Sequence, residues 1–195
     1  MNKPREADHE IEPLFLNRWS PRAYDGQAMP EVDLLRVLEA ARWAPSAYNI
    51  QPWRFLYARR EDASWDTFVS CLDAFNAGWA HTASALVLVL SDTMSEREDG
   101  TLRPARYHSF DTGAAWAQLA LQATSQGYQA HAMAGLEFDH ARTVLGVPER
   151  FRIEIAVAIG RRTDPAVLPA ELQEREAPSP RLPIDQIAFA GAFPQ

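Results

Sequence analysis

The chain has 195 residues, a length that points to one domain of a size at which folding buries roughly 70% of the unfolded surface. Its 19 Lys plus Arg against 26 Asp plus Glu give a formal charge of −7, the reverse of the balance in a general nucleic-acid or anionic-membrane binder, and 47% hydrophobic residues exclude a largely disordered chain. The single cysteine, Cys71, excludes an internal disulfide framework and a thiolate zinc centre; with no apolar leader and no run near the ~20 apolar residues of a membrane span, a cytoplasmic location is expected.

Residues 1–12 are polar and unpatterned, an expected loose arm without chemistry. From Pro30 to Trp43, Val32, Leu34, Leu35, Leu38 and Ala41 recur at helical spacing, with Pro30 as a first-turn residue and Glu31 and Asp33 at the positive helix end. The helix stops before Ala44-Pro45, because a residue preceding proline is biased out of the α region. Trp53 to Ala58 reads as a first strand and Trp65 to Gly78 as a helix. The apolar run Ala85 to Leu90 predicts a strand covered on both faces, so helices should flank the sheet.

Ser95 to Phe110 is charged and irregular, an expected mobile flap over a pocket; its His108, like the other histidines, is read first as a structural or surface residue, with substrate contact by Tyr107 and His108 as the lesser alternative. Asp111 to Gln126 predicts a long helix capped by Asp111 and terminated by Gly127. Tyr128 to Met133 adds a strand, Asp139 to Leu145 a short helix ended by Gly146 and Pro148, and Ile153 to Ile159 a further strand. Residues 163–195 form an extended tail of a single domain 1–195. Five of the 14 prolines fall between 163 and 183, and a tail without a core of its own is expected to lie on another surface, such as a second subunit.

The closest pair of the nine glycines, Gly127 and Gly135, are eight positions apart, so neither a dinucleotide fingerprint nor a Walker loop can form. Any phosphate must then be held by side chains and ordinary amides. The densest candidate is Asn17-Arg18-Trp19-Ser20-Pro21-Arg22-Ala23-Tyr24, where guanidinium forks and a hydroxyl suit a phosphate dianion, although spacing alone favours a solvated basic turn. The second is Ala44 to Phe55, with Pro45, Ser46, Asn49 and Gln51 able to grip the edge of a heteroaromatic ring; a capped turn anchored by Trp53 fits it equally well. His9, His81, His108, His131 and His140 have no metal-ligand spacing and no metal is expected.

Together, Arg18-Trp19-Ser20-Pro21-Arg22-Ala23-Tyr24 and Ala44-Pro45-Ser46-Ala47-Tyr48-Asn49-Ile50-Gln51-Pro52-Trp53-Arg54-Phe55 strongly resemble the FMN-dependent nitroreductase family. The likeness continues through Phe75-Asn76, Ala85 to Leu90, Ala134-Gly135-Leu136, Ala141 to Pro148 and Pro180-Arg181-Leu182-Pro183. It implies an α+β fold of three α/β/α layers around a mixed, mostly antiparallel sheet, with the C-terminal tail packed on a partner subunit. It also implies a homodimer with FMN at the subunit interface, NAD(P)H as hydride donor, and reduction of nitroaromatics, quinones or similar electron-poor molecules by a ping-pong sequence. No nucleic-acid or membrane partner is implied. The competing reading is an FMN-binding module or flavin carrier without turnover.

Carried over by position, Arg18 and Ser20 would hold the FMN phosphate, Trp19 would offer its backbone, and Arg181 would join them from the tail. Arg22 would face the pyrimidine edge and stabilise the charge that gathers there on reduction. Asn76 would hydrogen-bond the ring, Gly135 would pass close to it, and Pro45, Ser46, Asn49 and Gln51 would cross from the partner. No catalytic side chain is implied, because the flavin carries the chemistry. The chain departs from the family pattern at three places. Trp79 stands where a lysine is frequent, Ser179 where a second phosphate cation is frequent, with Arg161 or Arg162 as substitutes, and Ala134 where an acid often precedes the glycine.

Overall fold

The computed structural model describes residues 5–194, so the first four residues of the expected arm lie outside the described residues. A short helix, α1 (Pro13–Asn17), leads into the Arg18 segment, and α2 (Glu31–Arg42) follows with Pro30 as its N-cap rather than a first-turn residue. Proline suits that place because it has no amide hydrogen to leave unbonded. Strand β1 (Trp53–Arg59) comes next.

The single helix expected over Trp65 to Gly78 is two, α3 (Trp65–Ser70) and α4 (Ala74–Ala80). Tertiary pairing breaks it. Leu72 forms a β-bridge with Leu136, and the Asp73 carboxylate accepts the Asn76 amide at 2.7 Å, which starts a new helix.

After β2 (Ala85–Asp92), the expected irregular flap is instead an ordered hairpin, β3 (Met94–Glu96) paired with β4 (Leu102–Pro104). Asp99 closes its turn by accepting the Thr101 amide and hydroxyl, and Gly100 takes the positive φ there. The long helix α5 (His108–Ser125) begins earlier than its expected Asp111 cap. Asp111 is buried in its first turn and accepts the Ala47 amide at 3.0 Å, so its carboxylate fixes a distant loop.

Strand β5 (Gln129–Met133), helix α6 (Phe138–Val144) and strand β6 (Phe151–Gly160) complete the sheet, in the order β1-β2-β6-β5. Every pairing in it is antiparallel, so the α+β class holds while the parallel component allowed by a mixed sheet is absent among the described strands.

Strand β2 shows why there are three layers. Leu86, Leu88 and Leu90 enter one core with α3, α4 and α6, whereas Ala85, Val87 and Val89 enter a second with α2 and α5. Each fully buried leucine on one face and valine on the other contributes about 2 kcal/mol by area, which holds both helical layers on one central strand. Opposite Val89 and Leu90 the register skips Glu154, a bulge that turns this carboxylate toward Ser91, Ser109 and His108.

The tail includes a short helix, α7 (Ala170–Gln173), and is not without a core. Leu168 and Leu172 are buried in the α3/α4/α6 layer, which fixes residues up to Glu176 on their own chain. Beyond them Leu182, Ile184, Ile187, Phe189 and Phe193 are exposed.

Candidate functional site

The segment after α1 runs beside edge strand β5. Trp19 donates its amide to the Gln129 side chain at 3.4 Å, His131 Nδ1 meets the Pro21 carbonyl at 2.9 Å, and the buried Tyr24 hydroxyl donates to the Ala158 carbonyl. Tyr24 also lies on Gly160, where a Cβ would collide with its ring. These contacts explain how a polar turn becomes rigid: Trp19 and Pro21 are tied to β5 and Tyr24 to β6, so Arg18, Ser20 and Arg22 are held beside one cavity.

That cavity, of about 270 Å³, is lined by Arg5, Arg18, Ser20, Arg22, His131, Arg175 and Arg181. No carboxylate lines it. Arg18 Nη1 lies 3.4 Å from Ser20 Oγ, and Arg181 donates to the Ser179 and Pro180 carbonyls. Burial and then the charges of Arg5 and Arg181 push the Arg18 guanidinium below its ordinary range. A site that crowds guanidiniums without an acid is short of an anion, and a phosphate monoester supplies two charges and several acceptors at once.

Behind Arg22 and outside the cavity lining, Glu176 accepts the amides of Arg22 and Ala23 and stands 3.9 Å from Arg22 Nη1. Arg22 lies over Trp79, which stacks at 4.7 Å on His131. Burial, against the Pro21 hydrogen bond and with Arg22 and Arg18 adding to it, holds His131 down to about 4. Its imidazole is therefore neutral at pH 7, with Nδ1 the donor to Pro21. Arg22 Nε and Trp79 Nε1 are buried and find no hydrogen-bond partner among the described residues. These orphaned donors are the polar groups that a bound ligand would satisfy.

One helical turn before Trp79, Asn76 donates through Nδ2 to the Gly135 carbonyl at 3.3 Å. A Cβ at Gly135 would run into the side chains of Asp73 and Asn76, so any larger residue there displaces them. The site thus follows β5 from Gln129 to Met133, about 13 Å at 3.3 Å per residue, and continues into the segment that holds Gly135. Arg18, Trp19, Ser20, Arg22, Asn76, Gly135 and Arg181 all fall along this track.

Pro45, Ser46, Asn49 and Gln51 do not. Their loop enters the opposite edge strand at Trp53, which registers with Ser91 and thence Arg152, whereas Gln129 registers with Gly160. The two junctions are about 25 Å apart along β6 and about 14 Å across the sheet. Tyr48, Asn49 and Gln51 all have positive φ, near 53°, a conformation held by Ser46 Oγ accepting the Gln51 amide and by Asp111 accepting that of Ala47. Tyr48 is 97% exposed. The same loop, the β3–β4 hairpin, Tyr107 and His108 border a separate cavity of about 510 Å³. His108 there is tied to Ser91 at 2.7 Å, and Ser91 to Glu154.

Neither Arg161 nor Arg162 reaches the arginine cavity: Arg161 covers Tyr128 and Arg162 covers Trp19. Sequence reasoning missed Arg5, Arg175, Glu176 and His131, which sit in unpatterned segments or on a strand. The one available signal was Ser179, which stands where the family pattern has a cation. Cys71 is buried, its thiol raised by burial, and bonds the Thr67 carbonyl. Among the described residues no cluster of three His, Cys, Asp or Glu could hold a metal, and no helix is long and apolar enough to cross a membrane.

The profile of the nitroreductase family matches residues 16–161. An uncharacterized 15.4 kDa protein of Mycolicibacterium smegmatis is 40% identical over 72% of this chain and 97% of its own length. The NADH dehydrogenase of Thermus thermophilus is 28% identical, covering 89% of this chain and 92% of its own. The crystal structure of an oxidoreductase containing FMN superposes with a TM-score of 0.96 at 47% identity, over 100% of this chain and 98% of that one.

Proposed function

The chain belongs to the nitroreductase family, and from that membership and the cavity beside β5 we propose that it is an FMN-dependent oxidoreductase that takes hydride from NAD(P)H and passes electrons to a small electron-poor acceptor such as a nitroaromatic or quinone. The observation that carries this reading is the cavity of Arg18, Ser20, Arg22, His131 and Arg181, which no carboxylate lines, with Trp79 against His131 and, one turn earlier on α4, Asn76 bonded to Gly135. An anionic tail at one end and a flat polar ring at the other match the two ends of FMN, and the orphaned Arg22 Nε and Trp79 Nε1 are donors that such a ligand would meet.

FMN, once bound, supplies the two-electron hydride chemistry that no side chain provides. Arg18, Ser20 and Arg181 bind its phosphate. Arg22, its backbone fixed by Glu176, presents a permanent positive charge to the pyrimidine edge, which favours the reduced state and raises the reduction potential. Asn76 orients the ring, and Gly135 lets the backbone approach it.

The loop of Pro45, Ser46, Asn49 and Gln51 belongs to the same site only if a second copy supplies it, so the reading includes a homodimer with a site at each interface. The exposed apolar residues from Leu182 to Phe193 support a tail that packs on the partner. The covering loop would exclude water from the ring.

Mixing the FMN-loaded protein anaerobically with NADH or NADPH tests the proposal. Loss of the flavin absorbance, recovered on adding an acceptor, is the expected result. A yellow protein that neither donor reduces would instead make it a flavin-binding module.

A further inference from the structure

The family pattern places a second phosphate cation where this chain has Ser179, and the structure puts a guanidinium at that point from the other end of the chain. Arg5 Nε donates to the Ser179 carbonyl at 3.0 Å, across 174 residues of sequence. Its Nη1 donates to the carbonyls of Leu16 at 3.1 Å and Arg18 at 2.7 Å, so the head group is fixed among backbone acceptors at the rim of the arginine cavity. Nη2 makes no hydrogen bond to the described residues, and no acid pairs with Arg5 among them.

Three neutral carbonyls hold this cation in place without cancelling its charge. It is pressed by burial and by Arg181, and in turn presses on Arg18, so the cluster is a repulsive one until an anion enters. The same arm makes a second tie to the tail: the Asp8 carboxylate accepts the Ile184 amide at 2.7 Å. Arm and tail therefore meet directly over the cavity at Arg5–Ser179 and beside it at Asp8–Ile184.

We infer that Arg5 is a phosphate-binding residue of this site, replacing the cation absent at Ser179, and that a bound phosphate monoester clasps the N-terminal arm to the C-terminal tail. The inference rests on the FMN reading above. The clasp gives the phosphate a structural role: neutralising Arg5, Arg18 and Arg181 together removes the repulsion that opposes arm–tail contact. Because the tail beyond Leu182 is apolar and exposed, fixing its root at Ser179 also sets where that apolar stretch is presented.

The test is fluorescence titration of the full-length dimer with FMN and with riboflavin, comparing wild type, Arg5→Ala and Arg5→Lys. Arg5→Ala should weaken FMN binding by about tenfold, the loss of one charged hydrogen-bonding contact, with riboflavin changed less than about twofold; Arg5→Lys should recover part of the difference. Riboflavin binding also reports that the variant is folded. In parallel, saturating FMN should slow tryptic cleavage after Arg175 and Arg181 in the wild type and do so much less in Arg5→Ala. An Arg5→Ala variant with wild-type FMN affinity, or with equal losses for both flavins, overturns the role of Arg5 and leaves the FMN reading standing. A wild type that binds neither flavin overturns both.

Discussion

Glu176 accepts the amide of Arg22 at 2.7 Å and that of Ala23 at 2.9 Å, from a side chain that is 1% exposed. One carboxylate from the tail thus fixes the backbone of Arg22, whose charge would face the ring in the proposed complex. Its second oxygen finds no hydrogen-bond partner among the described residues and relies on Arg22 Nη1 at 3.9 Å for compensation. Glu176→Ala would strand two amides and the Arg22 charge, a loss on the order of 3 kcal/mol, read as a fall of roughly 6–12 °C in melting temperature. Glu176→Gln keeps an acceptor for both amides and should fall less. An alanine variant that melts with the wild type would show that the tail root is dispensable.

His131 predicts an acid-side loss of stability. Burial holds its folded-state value down to about 4, against an ordinary 6.5. The unfolded chain therefore takes up a proton in a range where the folded one refuses it. The stability due to this group is complete above about pH 6.5 and declines as pH falls toward 4, by an amount on the order of 3 kcal/mol. Urea unfolding from pH 7.5 to 4.5 should show this slope, and His131→Gln should flatten it. An unchanged slope in the variant would assign the acid sensitivity to other groups.

Arg18→Ala should weaken FMN far more than riboflavin, because only FMN carries the dianion that this guanidinium would meet under the proposed reading. A loss of about ten- to a hundredfold for FMN, with riboflavin nearly unchanged, is the expected outcome of paired titrations. Equal losses would mean that Arg18 shapes the pocket without touching phosphate.

The sequence made the sheet and its layers legible because β2 is uninterruptedly apolar and its flanking helices carry strong periodicity. It misplaced what tertiary contacts decide. Asp111 looked like a helix cap, yet its carboxylate serves Ala47, and the helix over residues 65–78 broke because Leu72 pairs with Leu136. At the site, Arg18, Ser20 and Arg22 were visible as a dense local motif. Arg5 and Glu176 were not, since each acts on residues more than 150 positions away except where the arm meets α1 and Arg18, and neither sits in a pattern that spacing could reveal.

Gly135→Ala tests the ring end of the site independently of charge. The added methyl would overlap the Asp73 carboxylate and the Asn76 amide, so these two side chains, which cap α4 and bond the Gly135 carbonyl, have to move. A cost of about 1–3 kcal/mol is expected from the overpacking, together with weaker binding of FMN and riboflavin alike. That shared loss contrasts with the FMN-selective loss at Arg18. A variant with unaltered affinity for both flavins would remove Gly135 and Asn76 from the site.

The separation of the two motif segments makes the strongest demand on assembly. Gln129 and Trp53 mark junctions at opposite edges of the sheet, while Tyr48, Asn49 and Gln51 hold strained positive φ angles on a loop that a single chain leaves exposed. Strain of about 1–3 kcal/mol per residue persists only where surroundings enforce it, and within one chain those surroundings are chiefly Ser46 Oγ and Asp111. Diluting the FMN-loaded protein through its dimer dissociation range should therefore release flavin in step with the loss of dimer, followed by fluorescence and sedimentation on the same samples. Deleting residues 182–195 should shift both transitions to higher protein concentration, because it removes the exposed apolar stretch of the tail while leaving Arg181 in place. A monomer that keeps full flavin affinity would mean that the Pro45 to Gln51 loop contributes nothing from a second copy.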